Sequence, residues 1–126
     1  MIELLPAPDH VIAYRLAGHL TADDYDGLIA GVEAKLATHA TVGVYADASG
    51  FIDIAPEALA KDFAYSFGKI GDWDRFRRVA LVTDTGWLRA LVRFAAPLAP
   101  GVQARVFAAG EQAQAMAWAG ERPPAL

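Results

Sequence analysis

Residues 11–46 read VIAYRLAGHLTADDYDGLIAGVEAKLATHATVGVYA, and the spacing of their apolar residues changes twice. Val11–Ala17 is an apolar, strand-like run that Gly18 ends. Thr21 then suits a helix N-cap. Its hydroxyl can accept an orphan backbone N–H, and Asp24 fits the positive end of the helix dipole. The pair approximates a capping box, with Asp in place of the preferred Glu. Tyr25, Leu28, Ile29, Val32 and Leu36 recur at i, i+3, i+4, i+7 and i+11, one face of an α-helix. Val42–Ala46 is a second strand, ending at Asp47. Strand, helix and strand in this order imply a right-handed crossover between parallel strands.

The flanking segments extend the pattern. Ile2–Leu5 is a short apolar run closed by Pro6-Ala7-Pro8-Asp9, which predicts an antiparallel hairpin at one edge of the sheet. Ala48-Ser49-Gly50 reads as a loop. Pro56 fits the first turn of a second helix, with Leu59, Phe63, Phe67 and Ile70 at helical spacing and Gly71 as its end. Val79–Val82 is a compact central strand. Asp84 or Thr85 caps a third helix, with Trp87, Leu88, Leu91, Val92 and Ala95 inward, Arg89 and Arg93 on an outer edge, and Pro97 and Pro100 as stops. Val102, Ala104 and Val106 alternate with Gln103, Arg105 and Phe107, a half-buried strand. Glu111–Trp118 is a last helix, and Arg122-Pro123-Pro124 a tail. The order is ββαβαβαβα: one α/β domain over residues 1–126, with a mostly parallel sheet.

Composition narrows the function classes. The chain has 126 residues, 55% hydrophobic and 21% charged, so it can bury a core without metal or disulfides. It has no cysteine, which excludes a thiol nucleophile, Cys-ligated zinc and iron–sulfur clusters. A net charge of −4 argues against a nucleic-acid partner. No run approaches the roughly 20 apolar residues of an integral membrane segment. Met1-Ile2-Glu3-Leu4-Leu5-Pro6 lacks the positive region of a secretory signal, so a cytoplasmic location is expected. The mean hydropathy of +0.24 suits a sheet covered on both faces, an apolar ligand site or a homodimer, and a homodimer is expected.

No catalytic constellation emerges. Ser49, Asp47 and His39 superficially suggest a triad, but no G-x-S-x-G elbow surrounds the serine. His10, His19 and His39 lack ligand spacing, so no metal site is expected. Asp23, Asp24 and Asp26 are explained by the start of a helix. Gly43, Gly50 and Gly110 make no phosphate-binding loop, and no cofactor is expected. Trp73-Asp74-Arg75-Phe76-Arg77-Arg78 mixes aromatic and basic residues, but reads best as a loop entering a strand.

The chain resembles the SpoIIAA-like proteins, a small bacterial family of the STAS (sulfate transporter and anti-sigma factor antagonist) fold, also described as STAS/SEC14-type. The residues that carry the resemblance span nearly the whole chain. They are Gly18-x-Leu20-Thr21-x-x-Asp24-Tyr25, Gly50-Phe51, Ala58-Leu59-x-x-Asp62, Phe76-x-x-x-Ala80-x-Val82-x-Asp84, Trp87, and Phe107 with Trp118. The resemblance implies a four- to five-stranded mixed sheet with helices mostly on one side, and no reaction. Anti-sigma factor antagonists of this fold carry Asp-Ser-Ser-Gly, or a close variant, at the helix after the third strand. This chain has Phe51-Ile52-Asp53-Ile54-Ala55-Pro56 there, without the serine that a kinase would phosphorylate.

The expectation is therefore a non-enzymatic binding module that holds a small apolar or lipid-like ligand between helices and sheet. Phe51, Phe63, Phe67, Trp87 and Phe94 would wall the pocket at the carboxyl ends of the strands, with Asp47 or Ser49 anchoring a polar head. The alternative is a protein–protein interaction module without the phosphorylatable serine, using a surface at Asp53, Pro56 and Glu57. An unrecognised enzyme is the third reading. An enclosed apolar cavity would favour the ligand carrier, and an exposed apolar patch the interaction module.

Overall fold

The computed structural model describes residues 1–68, 75–95 and 102–121, apart from the side chains of Leu59, Asp62, Phe63, Ser66, Phe67 and Ala95. The elements are β1 (Ile2–Leu4), β2 (Val11–Leu20), α1 (Ala22–Thr38), β3 (Val42–Ile54) and α2 (Pro56–Gly68), then β4 (Phe76–Val82), α3 (Gly86–Ala95), β5 (Gln103–Phe107) and α4 (Gln112–Gly120). This is the order read from the sequence. The five strands lie side by side in chain order. β1 pairs antiparallel with β2, and the other pairs are parallel.

Alternation along the strands puts apolar residues on both faces. Ile12 and Val42 meet Val32 and Leu36 of α1, with Tyr65 of α2 against the same cluster. Val11, Ala13, Tyr45, Ala80, Val82 and Phe107 lie on the other face, beneath Ala115 and Ala119 of α4. The sheet is thus covered on both sides.

Helix α1 is fixed at both ends. The Thr21 hydroxyl accepts from the Asp24 N–H at 3.3 Å, and the Asp24 carboxylate accepts from the Thr21 N–H at 2.9 Å, so the capping box forms with Asp. That backbone donor is the main reason the Asp24 carboxyl is held below its ordinary range. At the C-terminus, Arg75 donates to the carbonyls of Leu36 (2.6 Å), His39 (2.9 Å) and Ala40 (2.9 Å). These groups have no partner within the helix.

Four expectations are corrected. β2 and β3 do not end at Ala17 and Ala46. They continue as a pair, Ala17 opposite Gly50, Gly18 opposite Phe51 and Leu20 opposite Ile54, through two register shifts. Gly18 permits this with φ 65°, a left-handed conformation that a side chain would disfavour. Phe107 is not an outward residue of its strand. It is buried against Trp118, ring centroids 6.0 Å apart, because α4 covers that face too. Trp87 and Leu91 do not face inward: they are 54% and 53% exposed. Helix α3 packs chiefly on the edge strand β5, and Leu88 and Val92 are the half-buried side chains that its neighbours can cover. β4 also begins earlier than read, at Phe76. The expectations at Ile70, Gly71, Trp73, Pro97, Pro100 and Arg122-Pro123-Pro124 lie outside the described residues.

Candidate functional site

The carboxyl ends of the parallel strands carry the candidate site. Phe51, in the extension of β3, meets Trp87 at the start of α3 edge to face, with centroids 5.8 Å apart and ring planes at 60°. Trp87, Leu91 and Phe94 stand at i, i+4 and i+7, so they share one stripe of α3. Phe94 is 73% exposed, and the other two are more than half exposed. Of the five aromatic residues expected to wall a pocket, Phe51 and Trp87 are brought into contact, and Phe94 lies on the Trp87 stripe. The side chains of Phe63 and Phe67 lie outside the described residues. What the described residues form is an open apolar face.

Asp47 and Ser49 sit where β3 bulges. One Asp47 oxygen accepts from the Ser49 backbone N–H (3.0 Å) and from its hydroxyl (2.6 Å). The other lies 3.9 Å from Arg15 Nε. The carboxylate thus satisfies a donor released from the ladder, an Asx-type turn. His39 precedes the other end of β3, roughly 20 Å away at strand rise. It contacts Lys35 O and Thr38 Oγ1, so Ser49, Asp47 and His39 do not form a triad.

Asp53, Pro56 and Glu57 lie on the same end of the molecule, all exposed. Asp53 is two residues beyond Phe51, and its Oδ1 lies 2.6 Å from His19 Nδ1. Asp84, three residues before Trp87, is exposed and accepts from the Ala109 N–H at 3.2 Å. Asp84 also lies 3.9 Å from Arg89 Nη2, and Arg89 and Arg93 stand on α3 itself, so charges of both signs surround the apolar stripe. Phe51, expected in the pocket, and Asp53, expected on the partner surface, thus stand two residues apart on the same strand.

Leu91 and Asp84 read from the sequence as an inward helix residue and a helix cap, not as residues of a site. The available signal was excess. Trp87, Leu88, Leu91, Val92 and Phe94 crowd a helix of 10 residues, more than one inward stripe can hold. Among the described residues no group of three or more His, Asp or Glu could hold a metal ion, and no helix is long and apolar enough to cross a membrane.

Comparison with known proteins agrees with this architecture. A family model described as SpoIIAA-like matches residues 11–120. The crystal structure of an uncharacterized protein of the DUF3478 family from Shewanella loihica PV-4, with a SpoIIAA-like fold, superposes with a TM-score of 0.73. The two are 21% identical, over 94% of this chain and 92% of that one, a likeness of fold. No curated protein matches the chain.

Proposed function

The chain belongs to the SpoIIAA-like family, and from that premise we propose that it is a non-enzymatic module for protein interaction, docking its partner on the face built by Phe51, Trp87, Leu91 and Phe94. The observation that carries this reading is the exposure of Trp87, Leu91 and Phe94 along one helix stripe. Side chains of this size in one exposed patch mark interaction surfaces, and aromatic residues dominate their energetics. Asp53 and Asp84 near the patch, and Arg89 and Arg93 on its own helix, make a mixed polar surround, which favours a partner segment with apolar anchors flanked by charges of both signs. A ligand enclosed between helices and sheet would need Trp87 and Phe94 turned inward, whereas both are turned to solvent. Ser49 gives an enzymatic reading no support, since its hydroxyl is donated to Asp47.

The test places a photoreactive benzoylphenylalanine at position 94 in the source cells. One cross-linked protein is expected. Once purified, it should bind the wild-type chain directly, and Trp87→Ala should weaken that binding by about tenfold or more. Trp87 is half exposed, so the thermal midpoint should move by no more than about 2 °C. Cross-links only between copies of the chain would assign the face to a homodimer. An extractable lipid in the native mass spectrum would assign it to a lipid-like ligand. Either result, or unchanged binding by Trp87→Ala, overturns the proposal.

A further inference from the structure

The opposite end of the sheet holds a cleft of about 450 Å³, between the C-termini of α1 and α4 and the first residues of β3 and β4. This volume is within the range of small-molecule sites. Among the described residues its polar lining is two imidazoles (His10, His39), two hydroxyls (Thr38, Thr41) and two guanidiniums (Arg77, Arg78), with Glu121 the one carboxylate. Val42, Gly43 and Ala119 add apolar or backbone surface.

Two helix C-termini would ordinarily favour a cation here. Their carbonyls are already taken by basic side chains. Arg75 holds three at the end of α1, and His39 Nδ1 lies 3.3 Å from Lys35 O. His10 Nε2 lies 2.7 Å from Gly120 O, and since a carbonyl only accepts, this nitrogen carries the proton. Arg78 Nη1 donates to Trp118 O at 3.0 Å and pairs with Glu121. Its guanidinium is also held 4.8 Å from the Trp118 ring centroid, so it is rigidly presented. Arg77 is exposed and has no hydrogen-bond or ion-pair partner among the described residues. Among the described residues that line the cleft, basic groups therefore outnumber Glu121, and Arg77 is the guanidinium left without a partner.

We propose that the cleft binds a small phosphate-bearing metabolite. Guanidiniums match phosphate geometry with paired donors, and the Thr41 hydroxyl on the cleft wall can add another. A cation would meet two guanidiniums, and an apolar ligand would strip water from them without replacing its hydrogen bonds. Glu121 acts as a built-in competitor: its carboxylate occupies Arg78 until the ligand's phosphate displaces it.

The site is tested by amide NMR and calorimetric titration with glycerol phosphate, and with inorganic phosphate to separate the metabolite from the free ion. Saturable binding of glycerol phosphate is expected, with shifts confined to His10, Thr38–Gly43, the start of β4 and Ala119–Glu121. Arg77→Gln should weaken it by about tenfold or more, and Glu121→Gln should tighten it several-fold. Arg93→Gln, on exposed α3, should leave it unchanged. Four results overturn the proposal: no saturation up to about 10 mM, inorganic phosphate binding as tightly as glycerol phosphate, equal weakening by Arg93→Gln and Arg77→Gln, or no tightening by Glu121→Gln.

Discussion

Tyr45 lies on the α4-covered face, two residues from Asp47. Burial is the main cause that raises its phenol above the ordinary value of 10.0; the Asp47 carboxylate adds to it and Arg15 opposes it. The consequence is a one-sided pH dependence. Below 10 the phenol is neutral in folded and unfolded chains alike, and it contributes no pH slope. Above 10 the unfolded chain loses this proton first, so the folded state loses stability as pH rises further. Tyr45→Phe removes the ionisation and keeps the ring. The variant should therefore lose less stability than wild type as pH is raised past 10. Urea unfolding on both sides of that pH checks this, and parallel curves would show that Tyr45 is as solvated as a free phenol.

At the scale of elements, the seat of α4 on the sheet depends on Gly43. A Cβ built there would fall 2.0 Å from the Ala119 carbonyl oxygen, a backbone atom that moves only with the helix. Gly120 is the contrast, since its added Cβ would meet nothing nearer than 3.5 Å. Gly43→Ala should cost about 2 kcal/mol or more, and Gly120→Ala no more than about 0.5 kcal/mol. Thermal and chemical unfolding of the two variants measures the difference, and equal costs would mean that α4 slides freely. Helix α1 was legible in the sequence because its cap and its stripe are local signals: Thr21 with Asp24, then Tyr25 to Leu36. The extension of β2 and β3 was not, because Gly18 and Gly50 look like terminators until each is paired across the sheet. The orientation of α3 was hidden for a related reason. Its sequence offers more apolar stripe than it can bury, and only its place on the edge strand β5 decides that Leu88 and Val92 are covered while Trp87 and Leu91 are not. The candidate aromatics were legible as residue types, but their openness to solvent was not. Asp47 and Ser49 looked available to a ligand because the bulge that engages them arises from long-range pairing.

For the whole molecule, the two ends of the sheet differ in charge and in neighbours. The amino ends of β3 and β4 gather Arg75, Arg77 and Arg78 with Glu121, and the carboxyl ends carry an apolar face with Asp53, Asp84, Arg89 and Arg93 about it. From Val42 to Phe51 the chain runs roughly 30 Å at strand rise, within a sheet packed on both faces. Charges that far apart are screened from one another at physiological salt, where the Debye length is about 8 Å. Coupling would then require a second arrangement of β3, yet its residues Val42–Ala48 are all buried, and Gly43–Asp47 are paired with neighbouring strands on both sides. Occupancy of the cleft should therefore leave the affinity of the Trp87 face unchanged within about twofold, and by reciprocity the converse should hold. Trp87→Ala should bind glycerol phosphate as wild type does, and Arg77→Gln should bind the protein partner as wild type does. Titrating each ligand in the presence of saturating amounts of the other measures the coupling directly. A change of tenfold or so, about 1.4 kcal/mol, would mean that the β2–β3 bulge shifts register when one end is filled, and would make that bulge the place to look for a switch.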